Sequence, residues 1–179
     1  MAEPVDHLAT VAEIVQALRD LDLDPVLVGG MALVVLGSRR VTRDFDFVIE
    51  HPGDRLNAVV GVLYDRGLEL GSRIDDAGNV VSTIDNRKVA GIRLRLDAPV
   101  SAYFSNIGSG LRVDLLFDFP IPAAELAKNA TRFKVRAQAF AMASEADLLR
   151  LKRIAVSNRT APGDAEDIAF LESRGKKRT

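Results

Sequence analysis

Two stretches decide how this chain is read: Val26-Leu27-Val28-Gly29-Gly30-Met31-Ala32-Leu33 and Thr42-Arg43-Asp44-Phe45-Asp46-Phe47-Val48-Ile49. The first opens on three apolar residues that read as a short buried strand stopping at Gly29-Gly30. Met31 to Leu36 is apolar throughout and closes at Gly37, which predicts a short buried helix with a glycine at its end. In the second stretch Phe45, Phe47 and Ile49 point one way while Asp44, Asp46 and Val48 point the other, the period of a half-buried strand.

Working outward, Leu8, Val11, Ile14, Val15, Leu18 and Leu21 recur at helical spacing over 6–21, and Leu23-Asp24-Pro25 breaks the pattern. Pro52 suits a helix start, and Leu56, Val59, Val60 and Leu63 supply its apolar face before Gly67. Residues 75–87 are polar and turn-rich, predicting a surface hairpin or loop. Ile92, Leu94 and Leu96 alternate with Arg93 and Arg95, which predicts a strand. A turn over 105–110 leads to a second clean alternation over 111–118, with Leu111, Val113, Leu115 and Phe117 opposite Arg112, Asp114, Leu116 and Asp118. A weak helix near 122–129 and an extended stretch over 132–140 follow. Ser144 and Asp147 form a capping-box pattern for a helix to about residue 157. A second short helix is expected after Pro162-Gly163-Asp164. No internal repeat is present, and the irregular alternation of elements predicts an α+β (mixed α/β) fold, a mixed sheet flanked by helices. Residues 1–142 read as the core, and 143–179 as C-terminal helices and a basic tail packed on it as one domain.

A chain of 179 residues fits one domain, at roughly 150 residues per domain. It has no Cys and only two His, His7 and His51, which excludes disulfides, thiolate nucleophiles, Cys-based zinc sites and iron–sulfur clusters. Chemistry must run on carboxylates, hydroxyls, Lys or Arg. The net charge of −1 is uneven: residues 1–149 hold 16 basic and 21 acidic groups, residues 150–179 hold 8 and 4. That basic end, with Arg174, Lys176, Lys177 and Arg178, suits either contact with a polyanion or a solvated, frayed terminus. Met1-Ala2-Glu3-Pro4 does not read as a secretory signal. The longest apolar stretch, 26–37, contains three glycines and falls short of the roughly 18 residues of a membrane span. The expectation is a soluble, cytoplasmic protein.

Asp44 and Asp46 share a strand face with Cα atoms roughly 6.6 Å apart, so both can reach one or two divalent cations. Hard oxygen ligands of this kind suit Mg²⁺, which completes its shell with water and substrate phosphate. Without a cation the pair repels itself. Gly29-Gly30 at a strand-to-helix turn allows close backbone approach, and its N–H groups can hold phosphate. Each signal alone also fits a solvated strand face or an ordinary turn. The third piece is Asp114 on the second alternating strand, which joins the pair if the two strands are neighbours. Asp118 shares Asp114's face and competes for the role; Asp114 is preferred because it is central in its strand, whereas Asp118 lies at the end near Pro120.

Gly29-Gly30-Met31-Ala32-Leu33, Gly37-Ser38-Arg39-Arg40 and Thr42-Arg43-Asp44-Phe45-Asp46 together resemble the nucleotidyltransferase superfamily related to DNA polymerase β. Within it the chain looks most like the minimal AbiEii/AbiGii toxin-type nucleotidyltransferases. Ala143-Ser144-Glu145-Ala146-Asp147-Leu148, with Lys152, Arg159, Asp164 and Asp167, is similar to the C-terminal helical signature of that group. Residues 51–110 carry no matching motif. The resemblance implies a nucleotidyltransferase-fold sheet and Mg²⁺-dependent transfer of NMP from an NTP to a hydroxyl acceptor, with Asp44, Asp46 and Asp114 as metal ligands and catalytic carboxylates. It implies that Lys152 reaches the triphosphate and Asp164 supports the site. Read as residues alone, Lys152 falls inside the apolar stripe Leu148, Leu151 and Ala155 and can equally snorkel outward, and Asp164 can be the N-cap of the last helix. Thr42 and Arg43, with Arg39 and Arg40, can contact phosphate, or cap the loop and balance nearby acids. The acceptors open to this superfamily are RNA, a protein side chain and a small antibiotic; the toxin-like resemblance favours the first two and implies a cognate antitoxin. An antibiotic adenylyltransferase and a catalytically silent binding module of the same fold remain as alternatives.

Overall fold

The computed structural model describes residues 6–159 and 161–178, so the reading of Met1-Ala2-Glu3-Pro4 lies outside the described residues. The first half runs α1 (His7–Arg19), β1 (Val26–Val28), α2 (Gly29–Val35), β2 (Asp44–Ile49), α3 (Leu56–Tyr64), β3 (Glu69–Ile74) and β4 (Val80–Ile84). Then come α4 (Arg87–Asp97), β5 (Ser101–Asn106), β6 (Leu111–Phe117), α5 (Ala123–Asn129), β7 (Thr131–Val135), β8 (Gln138–Met142), α6 (Glu145–Asn158) and α7 (Asp164–Lys176). Among the described residues the eight strands join one mixed sheet in the order β4-β3-β5-β6-β2-β1-β8-β7.

The two alternating stretches become neighbours at the centre of that sheet. β2 and β6 pair in parallel, with Phe45 opposite Val113, Phe47 opposite Leu115 and Ile49 opposite Phe117. These side chains are buried, in the same core as Val11, Ile14, Val15 and Leu18 of α1 and Val59, Val60 and Leu63 of α3. Truncating one of the largest, Phe47 or Phe104, removes a fully buried ring, a change that costs about 3–5 kcal/mol in typical cores. The opposite face carries the polar members of the same strands, and α6 lies over part of it. Among the described residues no helix is long and apolar enough to cross a membrane.

One element differs in kind from its expectation. Residues 92–96 belong to helix α4, not to a strand. Asn86 caps the helix by accepting bonds from the Lys88 and Val89 N–H groups, and Ala90 and Leu94, four residues apart, are buried. Gly91 comes so close to Asn57 that an added Cβ would lie 2.7 Å from its Oδ1. Ile92 and Leu96, which a strand would have placed beside Leu94, stay exposed. The alternation of apolar and arginine residues was an amphipathic helix sampled over too short a window.

Smaller departures share one cause, the joining of strands through turns. The polar stretch at 75–87 holds the tip and second strand of the β3–β4 hairpin, then the first residue of α4. The turn expected over 105–110 is shorter, because β5 continues to Asn106. The extended stretch over 132–140 is two antiparallel strands, β7 and β8, joined through Arg136 at φ +56°. Ser144 caps α6 as its spacing predicts, accepting a bond from the Asp147 N–H at 3.1 Å. The cap of α7 is Gly163 at φ +88°, and Asp164 is the first helical residue, so Asp164 is freed from the N-cap role. The basic end is partly tied down: Arg174 bonds the Leu36 carbonyl at 3.0 Å, and both Arg174 and Arg178 pair with Glu145.

Candidate active site: a carboxylate face between two parallel strands

Register brings the acids together. Asp46 pairs with Asp114 across the β2–β6 ladder, and Asp44 pairs with Arg112. Adjacent strands lie about 4.8 Å apart, so Asp46 and Asp114 stand side by side on one face. On the far side of Asp46, β1 places Val28 opposite it and leads directly into Gly29. Gly29 has φ +70°, and a Cβ there would fall 2.2 Å from Asp46 Oδ2. The backbone at the start of α2 therefore packs directly on the Asp46 carboxylate, which only glycine permits. Val28, the residue before this helix, offers no side-chain cap to the N–H groups of its first turn.

Burial pushes the Asp46 carboxyl up to about 7, and the neighbouring charges of Asp114 and then Asp44 push in the same direction. Asp114 is also raised by burial, with Arg112 opposing the shift. Arg112 grips Asp114 through two parallel bonds, Nε to Oδ1 at 2.7 Å and Nη2 to Oδ2 at 2.9 Å. Its remaining nitrogen, Nη1, donates to the Gly78 carbonyl at the β3–β4 tip, at 2.8 Å. The guanidinium carbon lies 5.1 Å from the centre of the Tyr103 ring.

Asp118 is engaged elsewhere. It accepts bonds from the His51 and Ala123 N–H groups, both at 2.9 Å, and so ties the end of β6 to the start of α5. Thr42 Oγ1 accepts from the Asp44 N–H at 3.4 Å, while Arg39 and Arg43 are exposed on the same loop. Lys152 does not snorkel. Its ammonium pairs with Asp164 Oδ1 at 3.2 Å and Asp167 Oδ2 at 2.8 Å, and both carboxylates are buried. Arg40 pairs with the same Asp167 oxygen and lies over Gly30, where an added Cβ would meet its guanidinium carbon at 3.0 Å. The positive charge of Lys152 reaches the acid face, opposing the upward shift of Asp46. A cavity of about 380 Å³ separates the sheet from α6, lined by Val48, Leu116, Leu148 and Leu151 together with Asp46, Asp114 and Lys152.

Among the described residues no group of three or more His, Asp or Glu side chains is placed to hold a metal ion by itself. The donor set nonetheless fits a hard divalent cation: the face offers carboxylate oxygens, and the half-buried Asp46 beside Asp114 is disfavoured as an anion until positive charge arrives. Sequence reading passed over Arg112, Tyr103 and the shared grip of Asp167. For Arg112 the signal was present, since it stands two residues from Asp114 on the same strand face. Tyr103 and Asp167 are joined to the site by pairings that no local pattern encodes.

The sequence matches no family model and none of the curated proteins. Solved structures do match. The lincosamide antibiotic adenylyltransferase LnuA, solved with lincomycin, aligns over 92% of this chain and 96% of its own at TM-score 0.57 and 13% identity. An antigenic nucleotidyltransferase-like protein from Paracoccidioides brasiliensis aligns over 94% and 76%, at 0.58 and 18%. The chain has the nucleotidyltransferase fold. ANT(2'')-Ia, solved in complex with adenylyl-2''-tobramycin, covers 96% of it and 91% of its own length at TM-score 0.56 and 14% identity. The mixed sheet expected from the sequence is present, with Asp46 and Asp114 on its central strands and Gly29 at the start of α2 beside them.

Proposed function

We propose that this protein is a Mg²⁺-dependent nucleotidyltransferase that moves NMP from an NTP to a hydroxyl acceptor and releases pyrophosphate. The observation that carries this reading is the register of Asp46 with Asp114, closed on its other side by Gly29. Asp44, Asp46 and Asp114 would hold the metal. When bound, a divalent cation supplies the positive charge that steadies the attacking and leaving oxygens. Asp114, raised by burial, takes the proton of the attacking hydroxyl. The freed oxygen forms a bond to the α-phosphorus as the bond to the β-phosphate oxygen breaks.

Gly29 and Gly30, whose backbone packs against Asp46 and Arg40, position the phosphates, with Thr42 and Arg43 on the loop that joins α2 to β2. Lys152 contributes positive charge beside Asp46, steadied by Asp164 and Asp167. The apolar cavity under α6 suits the nucleoside, being continuous with the acids and lined by aliphatic side chains. For the acceptor we favour RNA or a protein, following the toxin-type motifs, and with them a cognate antitoxin. Transfer to a small antibiotic is the second reading, supported by a match with LnuA that spans nearly the whole of both chains.

The test is incubation with each α-labelled NTP, Mg²⁺ and total cell extract, supplemented with an aminoglycoside and lincosamide panel, beside an Asp44→Ala/Asp46→Ala control. Label in RNA or protein, from the wild type alone, supports the favoured acceptors; label in a drug supports the second reading. Nucleotide binding without transfer to any fraction identifies a silent module, and equal labelling by the double variant removes the metal assignment.

A further inference from the structure

The β3–β4 hairpin is built to bend over the acid face. β3 pairs with β5 through Glu69 and Leu70, and its ladder with β4 then shifts register between Gly71 and Arg73 and again between Arg73 and Ile74. Such irregularities bend and twist a strand. Gly71 packs on the Tyr103 ring so closely that a Cβ would lie 2.0 Å from it. The tip is stiff: Asp75 Oδ1 accepts from the Ala77 and Asn79 N–H groups at 3.0 and 2.8 Å. It ends at Gly78, whose carbonyl meets Arg112. Arg112 is thus bound at the same time to the third carboxylate and to the hairpin.

We infer that Arg112 is a positioning residue that couples loading of the carboxylate face to release of the β3–β4 hairpin. Both oxygens of Asp114 are taken by the guanidinium, through Nε and Nη2. A divalent cation drawing on Asp114 places a second positive charge beside the guanidinium and draws on the oxygens it shares, and that repulsion loosens the fork. The guanidinium plane is fixed by three bonds and by Tyr103 beside it, so it cannot leave Asp114 and keep its aim at the Gly78 carbonyl. Before loading, Arg112 offsets the charge of Asp114 and the hairpin is held down; after loading, the hairpin is free to admit or grip the acceptor. This rests on the proposed metal reading of Asp44, Asp46 and Asp114.

The test follows hydrogen exchange of the 72–83 amides, with and without Mn²⁺ and the non-transferable α,β-methylene-ATP, and measures Mn²⁺ affinity by paramagnetic resonance. In the wild type, the expected result is faster exchange of these amides once Mn²⁺ and nucleotide bind. In Arg112→Ala the amides exchange fast from the outset and do not respond. The variant also binds Mn²⁺ about tenfold more tightly, because no charge-assisted bond has to be broken first. Arg112→Lys keeps the charge without the fork and loses the hairpin response as well. A structural role alone would loosen the hairpin in the variants, but would not make wild-type exchange depend on Mn²⁺. Mn²⁺ binding with no change in the wild-type hairpin, or no tighter in Arg112→Ala, overturns the coupling and leaves the nucleotidyltransferase reading standing. Failure of every form to bind Mn²⁺ overturns both.

Discussion

At Gly29 a methyl group would sit 2.2 Å from Asp46 Oδ2, on a backbone at φ +70°. Gly29→Ala therefore combines a steric conflict with a left-handed conformation that costs about 1–2 kcal/mol for an L side chain. The expected outcome is a lower midpoint in urea together with loss of nucleotide binding, read by titration calorimetry. Asp46 makes a second prediction at this scale. Its proton leaves near 3.8 in the unfolded chain and near 7 in the folded protein, so between those values the folded state binds the additional proton. Without divalent cations, stability should fall as pH rises through that window and be lowest above it, by an amount on the order of a few kcal/mol. Asp46→Asn should remove that loss, being more stable than the wild type at pH about 8 and inactive, the trade expected where a site holds unfavourable charge. Urea unfolding of both forms in chelator at two pH values checks this; matching pH profiles would contradict it.

At the scale of elements, α4 gives the sharpest contrast between two readings of the same residues. Leu94 is 5% exposed and Leu96 is 79% exposed. Leu94→Ala should cost about 2–4 kcal/mol, while Leu96→Ala should stay within about 0.5 kcal/mol, since only the former empties packed space. A strand with both on one face would make the costs alike. The same contrast shows what was legible. Residues 43–49 and 111–118 could be read because one face of each strand is apolar throughout and the other polar, and a period of two survives in a short window. Residues 92–96 could not, because five residues of a helix with a charged outer face also alternate. What sets α4 apart is the Asn86 cap and the burial of Ala90 and Leu94 against a neighbour, neither of which an alternation count registers.

Across the whole molecule, Asp167 is the joint between three parts of the chain. It binds Lys152 of α6 and Arg40 of the loop before β2 from its own place on α7, and is itself 4% exposed. Asp167→Ala leaves Lys152 buried beside a single remaining carboxylate and frees Arg40 over Gly30. A loss of about 3 kcal/mol is expected, as for other broken buried pairs, with weaker nucleotide binding; thermal unfolding with and without Mg²⁺ and nucleotide separates the two effects. The acids themselves were legible one strand at a time, but their meeting depended on β2 and β6 being neighbours in parallel register, which is a property of the assembled sheet. The grip of Arg112 on Asp114 and Gly78 depends on the same assembly. The central claim is that this face transfers a nucleotidyl group, and paired labelling tests it most directly. Parallel reactions with α-labelled and γ-labelled NTP should place the α label on the acceptor and the γ label in pyrophosphate, and Asp46→Asn should abolish both. Transfer of the γ label to the acceptor, or undiminished α transfer by Asp46→Asn, would contradict it.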